Sequence, residues 1–456
     1  MLLQWSNKKR LKTFTGGICL AEDWKELSKD KPIEVAPLPD VASILMSQHV
    51  GAPCKPAVSK GDLVKKGQIV GRAQGYVSIN AHASICGKVV DIQTKPNPIT
   101  GARVTAVIIE RQGEDVWADG TNETSNTDTL TPHEIKTRIE AAGIVGLGGA
   151  TFPTHVKLSP PKDKPIDTVI LNGAECEPYL TCDYRLMMEK PNELIQGLKF
   201  IMNSVGCKNA YIGIEANKPD AYELMKKASS GEPNISIEML EVKYPQGAEH
   251  QLIKALLGRE FRPTQLPMEV GCIVHNVGTI LAVYEAVKFK RPLVERVISI
   301  TGNGVQKPMN LLVRIGSPVK PLLERAGMLP EANKVIFGGP MMGIAQENTD
   351  EAVVLKGTSG ILVLKDARVW ASRQCIRCGR CILACPYGLN PSELSIMGEA
   401  KAFDASMQAN ILECKECGCC SFVCPSRRPI VHLIKFTKSE LAKRKASALS
   451  GAVKQG

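Results

Sequence analysis

The spacing of hydrophobic and polar residues changes several times along the 456-residue chain, and each change predicts a different kind of domain. Residues 35 to 110 hold short β-type runs that are broken by glycine. Turn signals at intervals of about 8 to 12 residues are typical of a small β sandwich or barrel. From about residue 130, the helical patterns of HEIKTRIEAAGIV and EHQLIKALLGRE alternate with the buried-strand runs DTVILNG and YIGIEA. This alternation predicts an α/β domain.

A helix-start signal marks the boundary between these two domains. The polar stretch GEDVWADGTNETSNTDTLTPHE is interpreted as a linker, and it ends with Thr131, Pro132 and Glu134. Thr131 is the expected N-cap, Pro132 takes the first helical position, and Glu134 at N3 completes a capping box. We therefore predict a barrel domain over residues 1–127 and an α/β domain over residues 128–291.

Two further units follow toward the C-terminus. The segments VERVISITGNG and LLVRIGSPVKPLLERAG predict a strand, a turn, a strand and a helix, and KVIFGGPMMG adds a last strand. These elements define a compact α+β unit over residues 292–350. Residues 366–456 have a helical pattern with cysteine-rich loops. The expected fold class is therefore α/β multidomain, with four successive units.

No apolar run reaches the roughly 18 to 20 residues that a membrane-spanning helix needs. The N-terminal sequence MLLQWSNKKRLK places its charges after a very short apolar start, unlike a secretory signal. We expect a cytosolic protein, or a peripheral subunit on the cytosolic side of a membrane.

The net charge is +11, and residues 366–456 hold 14 Lys plus Arg against seven Asp plus Glu, which is +7 of that total. A solvated basic tail around AKRKA is the plainest explanation. Two functional explanations are that the charge offsets thiolate-bound clusters, or that it docks an acidic electron-carrier protein. Nucleic acid is not an expected partner, because basic and aromatic residues do not interleave.

Nine of the sixteen cysteines fall between residues 375 and 424, in two runs of the form C-x2-C-x2-C-x3-C-P. This is the pattern of two-cluster ferredoxins, in which three cysteines of a run bind one 4Fe-4S cluster and the fourth binds the other. One cluster is expected on Cys375, Cys378, Cys381 and Cys424, and the other on Cys414, Cys417, Cys420 and Cys385. Zinc is the alternative, but it prefers two separated pairs of ligands. Cys419 has no place in the pattern and is expected to be a non-ligand.

A glycine-rich loop, GLGGAT, carries Gly146, Gly148 and Gly149. It fails as a dinucleotide fingerprint, because Thr151 replaces the third glycine and a helical pattern precedes it. Glycine still permits close approach of the backbone to a flat ring or a phosphate, since no Cβ intervenes. An ordinary tight turn is the alternative.

The surroundings of this loop resemble a known family. Together with FPTHVKL, NGAECEP, YPQGAEHQL and VHNVGT, the loop is similar to the flavin- and NADH-binding domain of the complex I 51 kDa subunits. The N-terminal pattern resembles the barrel-sandwich hybrid of lipoyl and biotinyl carriers, but its apparent tip, residues 78–84, has no lysine, which favours a scaffold role. With a β-grasp-like (SLBB-like) unit and twin clusters in this order, nearly the whole chain resembles the RnfC family, NADH-handling subunits of ion-pumping ferredoxin:NAD oxidoreductases.

That resemblance implies a Rossmann-like flavin domain whose Gly146, Gly148 and Lys157 line FMN. Phe152 would stack on a nucleotide ring. The full implied set for FMN and NADH is Gly146, Gly148, Gly149, Phe152, Lys157, Asn172, Glu175, Glu177, Gly247, Glu249, Asn276 and Thr279. Leu147 and Ala174 depart from the complex I pattern, where an arginine and an aspartate stand. For the acidic residues the alternative is pairing with basic side chains, and for Asn276 it is helix capping.

The function implied is electron transfer between NADH, FMN and two 4Fe-4S clusters, with no catalytic acid or base in the side chains. The implied partners are NADH, the membrane subunits of an Rnf complex and its ferredoxin-facing iron–sulfur subunit, and the implied location is the cytoplasmic side of the inner membrane. Two alternatives are a cobalamin reductase, in which the flavin domain comes first, and a non-catalytic electron wire. In FTGGICLAEDWKEL, Cys19 and Leu20 replace the His-Pro of the Rnf pattern, and no function is assigned there.

Overall fold

The computed structural model describes residues 11–149 and 151–453. Residues 1–10, on which the expectation about a secretory signal depends, lie outside the described residues. The strands of the first domain range are β1 (Ile33–Val35), β2 (Val41–Leu45), β3 (Lys55–Pro56), β4 (Leu63–Val64), β5 (Ile69–Arg72), β6 (Ala81–His82), β7 (Gly87–Pro96) and β8 (Arg103–Arg111). Strands β2 to β8 form one sheet in the order β2-β8-β7-β4 and a second in the order β3-β5-β6, whereas β1 pairs with a strand of the third unit. The predicted small β domain is confirmed, and its core holds Ile44, Val70, Ile85 and Val107.

The α/β domain is built around a four-stranded parallel sheet in the order β11-β10-β9-β12. Its elements are α1 (Pro132–Ala141), α2 (Thr154–Lys157), β9 (Thr168–Gly173), α3 (Cys182–Glu189), α4 (Pro191–Val205), β10 (Asn209–Glu215), α5 (Pro219–Ala228), β11 (Ile235–Leu240), α6 (Glu249–Leu257), β12 (Cys272–Asn276) and α7 (Val277–Phe289). The capping box is confirmed: Thr131 Oγ1 accepts from the Glu134 N–H at 3.3 Å, and Glu134 Oε2 accepts from the Thr131 N–H at 2.8 Å.

The strand order places a ligand crevice at a definite point of this sheet. From β9 the chain moves outward to β10 and β11, and it then returns to β12 on the other side of β9. Loops that leave the carboxyl ends of β9 and β12 therefore diverge, and such switch points are where open α/β sheets bind ligands. Asn172 and Asn276 are paired in register at these two strand ends.

The third unit forms a six-stranded sheet in the order β1-β14-β13-β17-β15-β16. Its further elements are β13 (Glu295–Thr301), β14 (Met309–Arg314), α8 (Val319–Arg325), β15 (Lys334–Phe337), β16 (Ile344–Gln346) and β17 (Gly360–Leu364). The predicted succession of strand, strand, helix and strand is confirmed. The sheet also takes β17 from beyond residue 350 and β1 from the N-terminal region, because strand pairing joins segments that are distant in sequence.

The C-terminal unit is helical, with α9 (Arg380–Ala384), α10 (Pro391–Glu399), α11 (Phe403–Gln408), α12 (Cys419–Phe422) and α13 (Ile430–Val453). Helices α9 and α12 pack together, and α10 packs on α13. Among the described residues there is no helix with the length and apolar character to cross a membrane.

Residues 16–18, here called the N-terminal strap, join the α/β domain to the cysteine-rich unit. The Gly17 N–H donates to the Ala384 carbonyl at 3.0 Å, and Ile18 exchanges two backbone hydrogen bonds of 2.8 Å with Tyr244. A Cβ on Gly16 would lie 2.9 Å from the Cys385 carbonyl oxygen, and both glycines of the strap have a positive φ. No function could be assigned to the FTGGIC segment from its sequence. In the folded chain, its glycine pair allows the backbone to pass between two domains.

Candidate functional site

The glycine-rich loop lies against the first turn of α7. The Leu147 N–H donates to Thr279 Oγ1 at 2.8 Å, and the Gly146 N–H closes the loop by donating to the Phe152 carbonyl at 3.0 Å. A Cβ on Gly148 would lie 2.6 Å from Asn276 Nδ2, whereas a Cβ on Gly149 would have no atom of the described residues within 4 Å. Gly148 is therefore required for packing, and Gly149 borders open space.

The two asparagines at the strand ends use their amides within the chain. Asn276 Oδ1 accepts from the Gly278 N–H at 2.8 Å and caps α7, and its Nδ2 donates to Asp183 at 2.6 Å. Asn172 Nδ2 donates to the Gly247 carbonyl at 2.8 Å. The predicted helix-capping role of Asn276 is therefore present in the structure. Each asparagine also binds a residue of another segment at the crevice, Asp183 for Asn276 and Gly247 for Asn172.

Lys157 and Glu249 form an ion pair of 2.6 Å at this edge of the sheet. Lys157 also donates to the Val274 carbonyl at 3.1 Å. The exposed fractions of the two side chains are 25% and 36%, so both remain accessible to a ligand. Lys157 is the last residue of α2, the helix that follows the glycine loop, and Glu249 is the first residue of α6.

Glu175 is buried two residues after the end of β9 and has a φ of 46°. Its carboxylate accepts from the N–H groups of Asp183 at 2.7 Å and Tyr184 at 3.2 Å, which lie in the first turn of α3. A carboxylate at this end of a helix interacts favourably with the helix dipole. Burial nevertheless raises the pKa of Glu175 to about 7, with a smaller opposing effect from Lys25. Asp183 is half-buried, and desolvation raises the pKa of its carboxyl; nothing in the sequence pointed to it.

Glu177 points away from the crevice, toward the third unit. Its carboxylate accepts from the backbone N–H groups of Met341 at 3.1 Å and Met342 at 2.9 Å, and it lies 3.3 Å from Tyr244 Oη. Burial raises the pKa of Glu177 to about 7. The structure thus separates Glu177 from the other residues implied by the resemblance, and gives it a place where three domains meet.

Tyr244 and Gln246 are residues that the sequence reasoning missed, although both stand in the YPQGAEHQL segment. Tyr244 is almost fully buried, in a cluster with Ile18, Cys417 and Cys419. Gln246 is fully buried, and its amide has no hydrogen-bond partner among the described residues. The only available signal was their position between a strand and a helix.

The first predicted cysteine set lines a single small cavity. Its four thiols, from Cys375, Cys378, Cys381 and Cys424, surround the space together with residues of the adjoining loops. Cys378 is exposed and Cys381 is buried, so this cavity lies at the surface of the unit.

The second predicted set is more deeply buried. Burial, together with a smaller effect of the neighbouring thiols of Cys417 and Cys385, raises the pKa of the Cys414 thiol to about 11. Burial is also the main reason that the pKa of the Cys420 thiol is raised, and the thiols of Cys417 and Cys385 raise it as well. Cysteine binds a metal centre as the thiolate, and a bound iron–sulfur cluster would stabilise the ionised form of these thiols. All sixteen cysteines lie within the described residues, and none forms a disulfide.

Comparison with known proteins agrees with this architecture. Residues 12–114 match the RnfC barrel sandwich hybrid domain, residues 139–285 the Nuo51 FMN-binding domain, and residues 297–345 the SLBB domain. Each match falls within one predicted domain range, while the exact boundaries stay predictions. The barrel precedes the flavin domain, which agrees with the order expected of RnfC and not of a cobalamin reductase.

Two curated relatives cover nearly the whole chain. A relative from Clostridium ljungdahlii, part of a proton-translocating ferredoxin:NAD(+) oxidoreductase complex, is 48% identical over 94% of this chain and 94% of its own length. A relative from Acetobacterium woodii, part of a Na(+)-translocating complex of the same kind, is 42% identical over 94% of this chain and 97% of its own. A solved structure of an NAD+-reducing [NiFe]-hydrogenase is 19% identical in sequence, with a TM-score of 0.47. The match covers 64% of this chain and 59% of the hydrogenase chain.

The fold and the matched segments are those of a multidomain electron-transfer oxidoreductase subunit with an FMN-binding domain of the complex I 51 kDa type. The chain belongs to the RnfC family, whose members are subunits of ion-translocating ferredoxin:NAD(+) oxidoreductase complexes. The resemblance and the fold class predicted from sequence are confirmed.

Proposed function

We propose that this chain carries electrons between NADH, FMN and two 4Fe-4S clusters as the nicotinamide-linked subunit of an ion-translocating ferredoxin:NAD(+) oxidoreductase complex. The observation that carries this proposal is the placement of the second cysteine set against the flavin-side loops. Tyr244, three residues before Gly247 of the crevice, donates its hydroxyl to the Cys417 carbonyl at 2.7 Å. A flavin site and a cluster site that share one buried residue are suited to electron transfer.

The crevice residues fit a flavin nucleotide. Gly149 leaves open space beside the loop, Gly148 lets Asn276 pack behind it, and Lys157 presents a partly exposed ammonium group. Lys157 would hold a phosphate or the ring system, and Gly146 and Gly148 would approach the ring. When bound, FMN supplies the conversion between two-electron hydride chemistry and one-electron transfer. The chain contributes position, exclusion of water and electrostatics.

The nicotinamide nucleotide is assigned to the same crevice, beside Phe152, Glu175 and Glu249. Glu175 is held by the first turn of α3, so its carboxylate position is fixed before any ligand arrives. Glu177 has a different role in this proposal. Its carboxylate accepts hydrogen bonds from the backbone of Met341 and Met342 and so connects the flavin-side loop to the third unit.

The two cysteine sets are assigned to two 4Fe-4S clusters with different positions. Cys414, Cys417, Cys420 and Cys385 form the inner site, since Cys417 contacts Tyr244. Cys375, Cys378, Cys381 and Cys424 form the outer site, since Cys378 is exposed. With these groups bound, the chain would hold the flavin, the inner cluster and the outer cluster in an order suited to passing electrons to or from a partner subunit.

Family membership supports assignment to a multi-subunit complex. We assign this chain a peripheral place on the cytoplasmic side of the inner membrane, with membrane subunits and a ferredoxin-facing iron–sulfur subunit as partners. The names of the relatives support membership of such a complex, and the individual partners and the side of the membrane are what the family resemblance implies.

Visible absorption of the anaerobically purified, iron-reconstituted chain tests the proposal, with FMN and iron counted on the same sample. About eight irons are expected from two cubes, together with a flavin band that bleaches with stoichiometric NADH. If dithionite bleaches the spectrum and NADH does not, the chain is an electron wire without a nicotinamide site. Zinc in place of iron would contradict the cluster assignment.

A further inference from the structure

An open cavity of about 900 Å³ lies beside the outer cysteine set. It is bordered by the strap residues Gly17 and Ile18 on one side and by the cysteine-rich unit on the other. Cys424, a ligand of the outer cluster in the proposed function, forms part of its wall. A molecule seated in this cavity would therefore lie next to the outer cluster.

The rim of the cavity is apolar and exposed. Leu383 is 80% exposed, Phe422 is 57% exposed and Trp370 is 53% exposed. Leu383 and Phe422 hold the same position in the two cysteine runs, two residues before the fourth cysteine, and they project from the paired helices α9 and α12. Several large apolar side chains exposed around one concavity are typical of a protein-binding site.

The charge of the cavity is positive. Arg380, Arg427 and Arg428 line it, and none of the lining residues is acidic. Arg428 pairs with Glu399 at 2.7 Å, whereas Arg380 and Arg427 form no ion pair within the described part of the chain. Residues 367–392 contain four arginines and no acidic residue. Charge complementarity therefore requires an acidic partner.

Trp370 and Arg427 form a preorganised anchor at this rim. The Arg427 guanidinium carbon lies 3.5 Å from the centroid of the Trp370 ring system. Tryptophan and arginine are the residue types that most often dominate binding energy at protein interfaces. The site is concave, and its charges are Arg380 of α9 and the adjacent Arg427 and Arg428 of the loop before α13, whereas a membrane-surface site is usually an amphipathic helix with a lysine-rich polar face. These features favour a folded protein partner.

We propose that the rim formed by Trp370, Arg380, Leu383, Phe422 and Arg427 docks the acidic surface of another electron-transfer subunit of the complex. This inference rests on the proposed function, and it names the partner of the outer cluster. The partner holds a one-electron iron–sulfur or flavin centre near its acidic surface. Single electrons are exchanged there: one centre loses the electron that the other gains, with no bond formed or broken and no proton transferred.

Photo-cross-linking in the assembled, membrane-bound complex tests this inference. The photoreactive residue p-benzoylphenylalanine replaces Leu383, and the matched control carries it at Leu63, which is 72% exposed on the barrel. We expect an adduct from position 383 and not from position 63. Mass spectrometry should place it in a carboxylate-rich peptide of a subunit that binds an iron–sulfur or flavin centre.

Substitutions at the anchor separate a specific interface from chance proximity. In the cross-linking background, Trp370→Ala and Arg427→Glu should each lower the adduct yield at least fivefold, while Arg72→Glu on the barrel should leave it unchanged. Iron content equal to wild type shows that the clusters are intact in each variant. An adduct with lipid, with a second copy of this chain or with a subunit that lacks a redox centre overturns the inference, as does no adduct or a yield insensitive to Arg427→Glu. NADH bleaching of the isolated chain tests the proposed function separately.

Discussion

The hydroxyl of Tyr244 donates to the carbonyl oxygen of Cys417 at 2.7 Å, across the boundary between the flavin-binding domain and the cysteine-rich unit. Tyr244 is 2% exposed, and burial raises the pKa of its hydroxyl, so it remains a donor at neutral pH. Ile18 of the N-terminal strap binds the backbone of the same residue. One residue thus connects the loop after β11 to the strap through its backbone and to the inner cysteine set through its side chain.

Tyr244→Phe removes this hydrogen bond while keeping the ring in place. We expect a stability loss of about 1 kcal/mol, since one buried hydrogen bond is lost. The inner cluster should change its electron paramagnetic resonance spectrum and accept electrons more slowly, while NADH still bleaches the flavin. Tyr222→Phe, on α5, is the control and should resemble wild type. An unchanged inner-cluster spectrum would show that Tyr244 has no part in positioning it.

Gly148→Ala and Gly149→Ala form a matched pair in the glycine loop. The new Cβ at 148 would lie 2.6 Å from Asn276 Nδ2, whereas at 149 no atom in the described part of the chain would lie within 4 Å of it. Overpacking of this kind typically costs about 1–3 kcal/mol. We expect Gly148→Ala to lower the melting temperature and the FMN content, and Gly149→Ala to keep the fold. FMN loss from Gly149→Ala with an unchanged melting temperature would show that the flavin occupies the open space there.

Lys157→Met and Glu249→Gln each break the same ion pair, so they distinguish two roles of the lysine. If Lys157 binds a flavin phosphate, its removal loses a charge-assisted hydrogen bond of about 1.5–3 kcal/mol. That loss corresponds to about 10- to 100-fold weaker FMN binding. Glu249→Gln should retain FMN within about twofold. Titration of the apo-chain with FMN measures both, and equal losses would mean that the lysine serves only the ion pair.

Glu175 predicts a pH dependence of stability. Its folded-state pKa of about 7 lies above the ordinary value of 4.5. The folded chain therefore binds this proton more tightly than the unfolded chain, and the resulting stability is present below pH 4.5 and lost as pH rises through 7. Glu175→Gln should remove this loss, a gain of up to about 3 kcal/mol at pH 8.

Melting temperatures of the apo-chain at pH 5 and pH 8 check that expectation. The wild type should lose more stability between the two values than Glu175→Gln. Glu223→Gln, an exposed residue of α5, is the control and should follow the wild type. Parallel pH profiles for all three proteins would contradict the prediction.

Cys378→Ser and Cys419→Ser distinguish a ligand from a neighbour. Cys378 lines the small cavity of the outer cysteine set. Cys419 is fully buried, and its Sγ lies 3.8 Å from the Tyr244 carbonyl oxygen. We expect Cys378→Ser to lose about four of about eight irons, because one cube loses a ligand. Cys419→Ser should keep them all. Iron analysis and electron paramagnetic resonance measure the outcome, and iron loss from Cys419→Ser would require a revised ligand set.

Local sequence signals predicted local structure well. The capping box at Thr131 and Glu134 was readable because its bonds join residues three apart. The strands DTVILNG and YIGIEA were readable because both faces of a parallel strand are buried. The pairing of Cys424 with the first cysteine run also followed from spacing, and these four residues do share one cavity.

Contacts between distant segments were not readable in the same way. Glu177 lies two residues after Glu175, and the resemblance placed both beside the nucleotide. In the folded chain Glu175 binds the start of α3, whereas Glu177 binds Met341 and Met342 of the third unit. No local pattern distinguishes two carboxylates in one loop, because their partners lie on other parts of the chain.

Domain order, the main helices and strands, the two cysteine runs and the family of this protein could all be predicted from the amino-acid sequence, since these depend on local periodicity, spacing and motifs. How the domains meet became visible in the folded chain: β1 and β17 complete the sheet of the third unit, the strap at Gly16 and Gly17 passes beside Cys385, and Tyr244 reaches Cys417. These contacts join residues up to hundreds of positions apart. They depend on the shape of the packed domains, and short-range sequence patterns do not encode that shape.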